Sequence, residues 1–262
     1  MKDTILNTFY SLERAFYRKK WRLEREIGQY NEPPDPTRLR FVDPTKIQHR
    51  HSKSQRANEK RPAHNKIHQD IGRVLNGGWD IETVPVETAS THRLINNFIG
   101  NNIKWEETDY YKKYKYKWEG KNYKQFLNSE DGDPTAKKNE NDLDKYRQYI
   151  LDLYETINKE GYKSQIELAL EGKISPRRFK WLIRNEICVD IGRDGQFIIV
   201  DSNHRLAIAQ ELGVPKVPVT VVARHQKWME KWDKYTNISK IDDLCQKHRH
   251  PDFTFYRSEG KS

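Results

Sequence analysis

Asp201-Ser202-Asn203-His204-Arg205 is a short polar run set between two apolar segments. Its residue types suit the binding of a phosphate. Arg205 offers a bidentate fork, and His204 offers a donor tunable near neutral pH. A helix beginning here adds its first backbone N–H groups and its macrodipole at the same spot. Ser202 or Asn203 can serve as the N-cap. Phosphoryl transfer also needs a carboxylate, to accept a proton or to hold Mg²⁺. Asp201 is the first candidate, with Glu186 and Asp190 behind it. Arg193 lies close in sequence and can reach the same anion. Arg224 and His225 follow downstream and can contact a nucleotide or a nucleic-acid backbone. Ser164 and Gln165 can line the pocket from the opposite side. Each assignment has a plainer counterpart: Arg205 pairs with Asp201 or Glu186 and ties the turn down, Asp201 is a turn or cap residue, and Ser164 and Gln165 cap a helix.

The flanking segments are expected to hold this run in place. Phe197 to Val200 is an unbroken apolar stretch, as in a strand covered on both faces. Leu206 to Leu212 is rich in helix formers and stops at Gly213, a suitable left-handed cap. Val217 to Val222 reads as the next strand. The intervening length permits a right-handed parallel crossover, which would put the polar run at the mouth of a βαβ unit. Upstream, Ile187, Val189 and Ile191 alternate with Cys188 and Asp190, the pattern of a half-buried strand. Asp194-Gly195 is a tight-turn signal that joins this strand to Phe197 in a hairpin.

Glu186 to Trp228 resembles the core of the ParB/sulfiredoxin superfamily. The resemblance is carried by Asp201-Ser-Asn-His-Arg205, Leu212-Gly213 and Val217-Pro-Val219. Ile157 to Gln165 is similar to the superfamily's helix and Gln-containing turn, and Arg40 to Ile47 to its opening strand. The resemblance implies an α+β fold with a small mixed sheet and packed helices, elaborated by an N-terminal helix and a helical insertion. It also implies a pocket for nucleotide phosphates, with ATP or CTP as the ligand. Activities in the superfamily include CTP hydrolysis by partition proteins, sulfinate repair and phosphorylation of free serine. Asn203 stands where sulfiredoxins carry cysteine, so sulfinate repair is not expected. The Gly-Glu-Arg-Arg motif of partition proteins is absent. Asp201 matches the placement of the Asp that heads the motif in the serine-kinase branch.

Elsewhere the pattern organises the chain into three parts. Residues 1–32 read as an amphipathic helix, with Ile5, Phe9, Leu12, Phe16, Leu23 and Ile27 as its apolar stripe. That stripe packs on its own domain or a second copy of the chain, or else the basic face meets a membrane surface or nucleic acid. Residues 37–232 form the ParB/sulfiredoxin-like domain, with a helical insertion at about 92–160. Residues 233–262 form a polar tail. Leu39 to Val42 and Ile71 to Val74 are short strands. His49, His51, His64 and His68 match no metal-ligand spacing and read as a surface loop. His92 to Ile99 reads as a helix. From Trp105 to Trp118 rings alternate with lysines, which suits either stacking on single-stranded nucleic acid or rings packed inward. Leu143, Tyr146, Ile150, Leu153 and Ile157 form the stripe of the clearest helix, Asp142 to Lys159, which Gly161 ends. Shorter helices are expected at Ile166 to Leu170 and from Pro176.

Composition narrows the class. The formal net charge is +10 among 262 residues, which favours an anionic partner, nucleotide or nucleic acid. Cys188 and Cys245 form no CxxC pair, which argues for a reducing compartment and against structural zinc. No apolar run is long enough to span a bilayer, and a cytoplasmic location is expected. Three functions remain: an NTP-dependent phosphotransferase or nucleotide hydrolase acting through the 201–205 turn, a ParB-like DNA-binding protein or nuclease, and a nucleotide-sensing module without catalysis.

Overall fold

The computed structural model describes residues 37–52, 71–122, 139–174, 182–236 and 250–254, together with residues 4, 8, 11–16, 19, 30, 34, 35 and 125. The chain order is β1 (Arg40–Val42), β2 (His49–His51), β3 (Arg73–Leu75), β4 (Thr83–Pro85), α1 (Ser90–Ile95), α2 (Asp109–Trp118), α3 (Glu140–Glu160), α4 (Gln165–Leu170), β5 (Ile187–Ile191), β6 (Phe197–Asp201), α5 (Asn203–Glu211), β7 (Val217–His225), α6 (Gln226–Thr236) and α7 (Pro251–Thr254). These elements make a mixed α+β protein with one seven-stranded sheet of order β1-β7-β5-β6-β2-β4, in which β3 also pairs with β7. Most of the helix expected from Pro176 falls outside the described residues, as do His64, His68 and Cys245, while Leu182 and Ile183 at its expected end lie in a turn.

The hairpin at Asp194-Gly195 dictates how the sheet is wound. Gly195 adopts φ +88°, and a Cβ there would sit 2.5 Å from the Trp228 ring. Both the turn and the close ring contact therefore require glycine. The hairpin closes a short loop and sets β6 antiparallel beside β5. β7 then takes the other edge of β5 and runs parallel to it. The parallel crossover expected between Phe197–Val200 and Val217–Val222 is therefore not formed. β5 lies between those strands, and they run in opposite directions. For the same reason β5 is not half-buried: as a central strand covered on both faces, it buries Cys188 and Asp190 as fully as its aliphatics.

The central turn of α5, Leu206 to Ala209, is apolar and buried all round because it is covered from both sides. Leu206 and Ala209 join the sheet core with Val189, Ile199 and Val219. Ala207 and Ile208 join a second core formed by Leu94, Trp105, Tyr111, Leu143, Ile150 and Ile157. The helical region thus closes over the far side of α5. Burying Leu206 and Ile208 contributes roughly 1.5–3 kcal/mol each. In α2 the rings point inward: Tyr111 and Tyr114 are buried, and the Lys113 amine lies 5.1 Å and 5.3 Å from the Tyr110 and Tyr114 ring centroids. A cation packed on rings in this way is not presented to a nucleic-acid strand.

Two buried ionic clusters tie distant segments to the sheet. Asp252, in the part of the chain that composition marks as polar tail, is fully buried. It accepts from Arg224 Nη2 at 2.7 Å, Arg40 Nε at 3.2 Å and Trp228 Nε1 at 3.1 Å. Asp80 accepts a forked pair from Arg193 at 2.6 Å and 3.0 Å, plus the Arg193 backbone N–H at 2.7 Å. Residues 11–16 are helical, as their pattern predicts, but Leu12 and Phe16 of the expected stripe are about 60% exposed. Glu13 is the residue turned inward. Its carboxyl accepts the Ile183 N–H at 3.2 Å, which ties the described part of this helix to the domain.

Candidate functional site

β6 ends at Asp201, and the chain enters α5 through one residue of unusual conformation. Ser202 occupies the N-cap position with φ 68° and ψ 39°, in the left-handed region. An N-cap normally has extended backbone, which lets its side chain turn back onto the first helical N–H groups. In the left-handed conformation the Ser202 side chain makes no such bond to α5. Its Oγ instead donates to the Glu186 carbonyl at 2.9 Å. Its own N–H donates to Asp201 Oδ1 at 2.7 Å. Holding a non-glycine residue there costs of order 1–3 kcal/mol, and such strain clusters at functional sites. Residues 201–205 are all half-buried, so the uncapped end of a nine-residue helix lies within reach of solvent.

Glu186 gathers the surrounding elements. It is 1% exposed. Oε1 accepts the Gln165 N–H at 2.6 Å, and Oε2 lies 3.4 Å from Arg205 Nη1. Burial pushes its carboxyl up to about 7, against the opposing pull of Arg205 and the Gln165 N–H. Arg205 also donates to the Lys163 carbonyl at 2.6 Å and the Asn185 carbonyl at 3.3 Å, and its guanidinium lies 4.6 Å from the Tyr162 ring centroid. Its contacts thus include the tie to Glu186 that the sequence offered as the plainer role. His204 Nε2 lies 2.6 Å from the Tyr146 hydroxyl of α3. Ser164 caps α4 through a reciprocal capping box with Glu167.

The fold therefore brings together Asp201, Ser202, Asn203, His204, Arg205, Glu186, Ser164 and Gln165 around the start of α5. It does not bring Arg193, Arg224 or His225 there. Arg193 is held by Asp80 and the Gly77 carbonyl, the latter at 2.8 Å. Arg224 is 1% exposed and held by Asp252, and His225, fully buried, lies 3.0 Å from the Gly77 carbonyl. Sequence reasoning missed Tyr146 and Tyr162 as site residues. Tyr146 is one ring in an apolar stripe, and only the packing of α3 on α5 shows that its hydroxyl faces His204.

Among the described residues no group of three His, Cys, Asp or Glu side chains is placed to hold a metal ion, and no helix is long and apolar enough to cross a membrane. Mg²⁺ bound through one carboxylate and a ligand's phosphates needs no such protein cage. Asp201 is the half-buried carboxylate at the turn. No family model, curated protein or solved structure matches this chain.

Proposed function

We propose that this protein binds a nucleotide, with its phosphates against the N-terminus of α5, and acts as an NTP-dependent phosphotransferase or nucleotide hydrolase. The observation that carries this reading is the uncapped helix start behind a left-handed Ser202. Its first-turn N–H groups and the positive end of the helix dipole suit an anion. The resemblance of Asp201 to Arg205 to the ParB/sulfiredoxin motif supports the same ligand. Asp201 is the carboxylate for Mg²⁺ or for the acceptor's proton. Glu186, whose carboxyl burial raises to about 7, is positioned to orient Arg205. Purified protein with Mg²⁺ would be tested against NTPs, the matching nucleosides and pyrophosphate by thermal shift and turnover. Saturating nucleotide should stabilise the fold by about 2.7 kcal/mol at a hundredfold excess over Kd. Asp201→Asn should abolish turnover and keep binding. If neither nucleotides nor pyrophosphate raise Tm, the reading is wrong. Nucleic-acid binding that weakens steeply with salt would then make DNA the anion that the net charge of +10 serves.

A further inference from the structure

Tyr110 of α2 and Tyr146 and Tyr149 of α3 form a short column of rings that leads from the helical core outward. The Tyr110 and Tyr146 rings are inclined by 23° with centroids 5.0 Å apart, and the Tyr146 and Tyr149 rings by 26° at 6.4 Å. Tyr146 and Tyr149 are three residues apart on α3, which puts both rings on one side of that helix. The apolar stripe of α3 faces inward, with Leu143, Ile150 and Ile157 buried, whereas Tyr149 is 48% exposed. The column therefore ends in an exposed ring.

That ring stands beside the turn at 201–205. The His204 ring meets Tyr146 and Tyr149 nearly edge-on, with centroids 5.5 Å and 5.6 Å away and planes at 77° and 80°. His204 is the second residue of α5, so one side chain separates the exposed ring from the first turn of the helix. In a nucleotide one sugar separates the base from the first phosphate. The other rings at the turn are already occupied. The Arg205 guanidinium lies 4.6 Å from the Tyr162 ring centroid, and Tyr146 is stacked against both Tyr110 and Tyr149. A base laid on Tyr149 would continue the column by one ring. Tyr149 is already braced by Tyr146 and by the edge of His204, so stacking on it orders little that is not ordered beforehand. Every base has a π-face, so an aromatic side chain can hold any of them by stacking.

We propose that Tyr149 is the platform on which the nucleobase stacks while the phosphates lie against the start of α5, so that the site favours nucleotides over bare polyphosphates. The platform depends on the phosphate position proposed above and adds the residue that meets the base. Calorimetric affinities of the full chain for ATP, CTP and tripolyphosphate, each with Mg²⁺, test it. Tyr149→Ala should weaken ATP and CTP about tenfold and leave tripolyphosphate unchanged within about twofold. Tyr149→Trp keeps a flat aromatic face and should retain nucleotide affinity. Tyr149→Leu covers Tyr146 without a π-face and should behave as the alanine variant does. Equal losses of nucleotide and tripolyphosphate in Tyr149→Ala would show that the ring only supports the turn. Unchanged nucleotide affinity in that variant would show that the base lies elsewhere. Either result overturns the platform and leaves the phosphate position standing. If neither nucleotides nor tripolyphosphate bind the parent, the phosphate position fails and the platform fails with it.

Discussion

Glu186→Gln separates the two forces that act on the buried carboxylate at the centre of the site. Burial favours the neutral acid, whereas Arg205 at 3.4 Å favours the anion. Burial prevails and the folded-state pKa stands near 7, against an ordinary value of 4.5. A pKa raised on folding means that the native state holds its proton more tightly than the unfolded chain. The associated stability is complete below about 4.5, declines as the unfolded chain ionises, and is gone once pH passes about 7. The displacement corresponds to about 3 kcal/mol. Glutamine is neutral throughout, and its amide oxygen can keep the 2.6 Å bond from the Gln165 N–H. Loss of the second acceptor adds a cost of about 1 kcal/mol that does not vary with pH. Glu13, whose carboxyl burial also raises to about 7, is common to both proteins and cancels in the difference. Urea denaturation followed by tryptophan fluorescence at about pH 5 to about pH 8 would give both stability curves. Across that range the variant should gain about 2.5 kcal/mol relative to the parent, since part of the effect is already lost at about pH 5. A difference that stays flat, or that moves in favour of the parent, would show that Arg205 keeps Glu186 ionised and would refute the reasoning.

Asp252→Asn tests the docking of α7. Burial alone would raise this carboxyl, but Arg224 and Arg40 prevail and hold it well below the usual carboxylate range. Its contribution is therefore present above the ordinary carboxylate pKa and is lost as pH falls. Removing the charge takes away the carboxylate that two buried guanidinium groups share and should cost about 3–5 kcal/mol in denaturant titrations at neutral pH; a loss below about 1 kcal/mol would mean that the segment is not anchored there. Arg193→Ala should lower Tm by breaking the Asp80 pair but leave nucleotide affinity unchanged, because Arg193 is not at the α5 turn. A tenfold or greater fall in affinity would place it in the site. Gly100→Ala would put a Cβ 2.5 Å from Glu211 Oε1, and that flexible carboxylate should swing aside without large loss of stability; a loss above about 3 kcal/mol in urea denaturation would show that it cannot.

Local chemistry in the sequence determined a good deal of this protein. The hairpin at Asp194-Gly195, the apolar strand from Phe197, the stripe of α3 and the polar run after Val200 all depend on neighbours a few residues apart, so spacing reveals them. Ser164, Gln165 and Glu186 meet near the start of α5, far apart in the chain as they are. The burial of Asp190 and Cys188, the opposite directions of β6 and β7, and the inward turn of Glu13 depend on which strand or helix lies alongside, and that is settled by non-local packing. The αL conformation of Ser202 belongs to the same class. A serine before a helix ordinarily signals a cap, and only the Glu186 carbonyl waiting across the sheet turns its hydroxyl away and leaves the helix end open. Arg193, Arg224 and His225 carry anion-binding chemistry in the sequence, but tertiary structure spends that chemistry on Asp80, Asp252 and the Gly77 carbonyl, because polar groups drawn out of water are paired within the fold before they can serve a ligand.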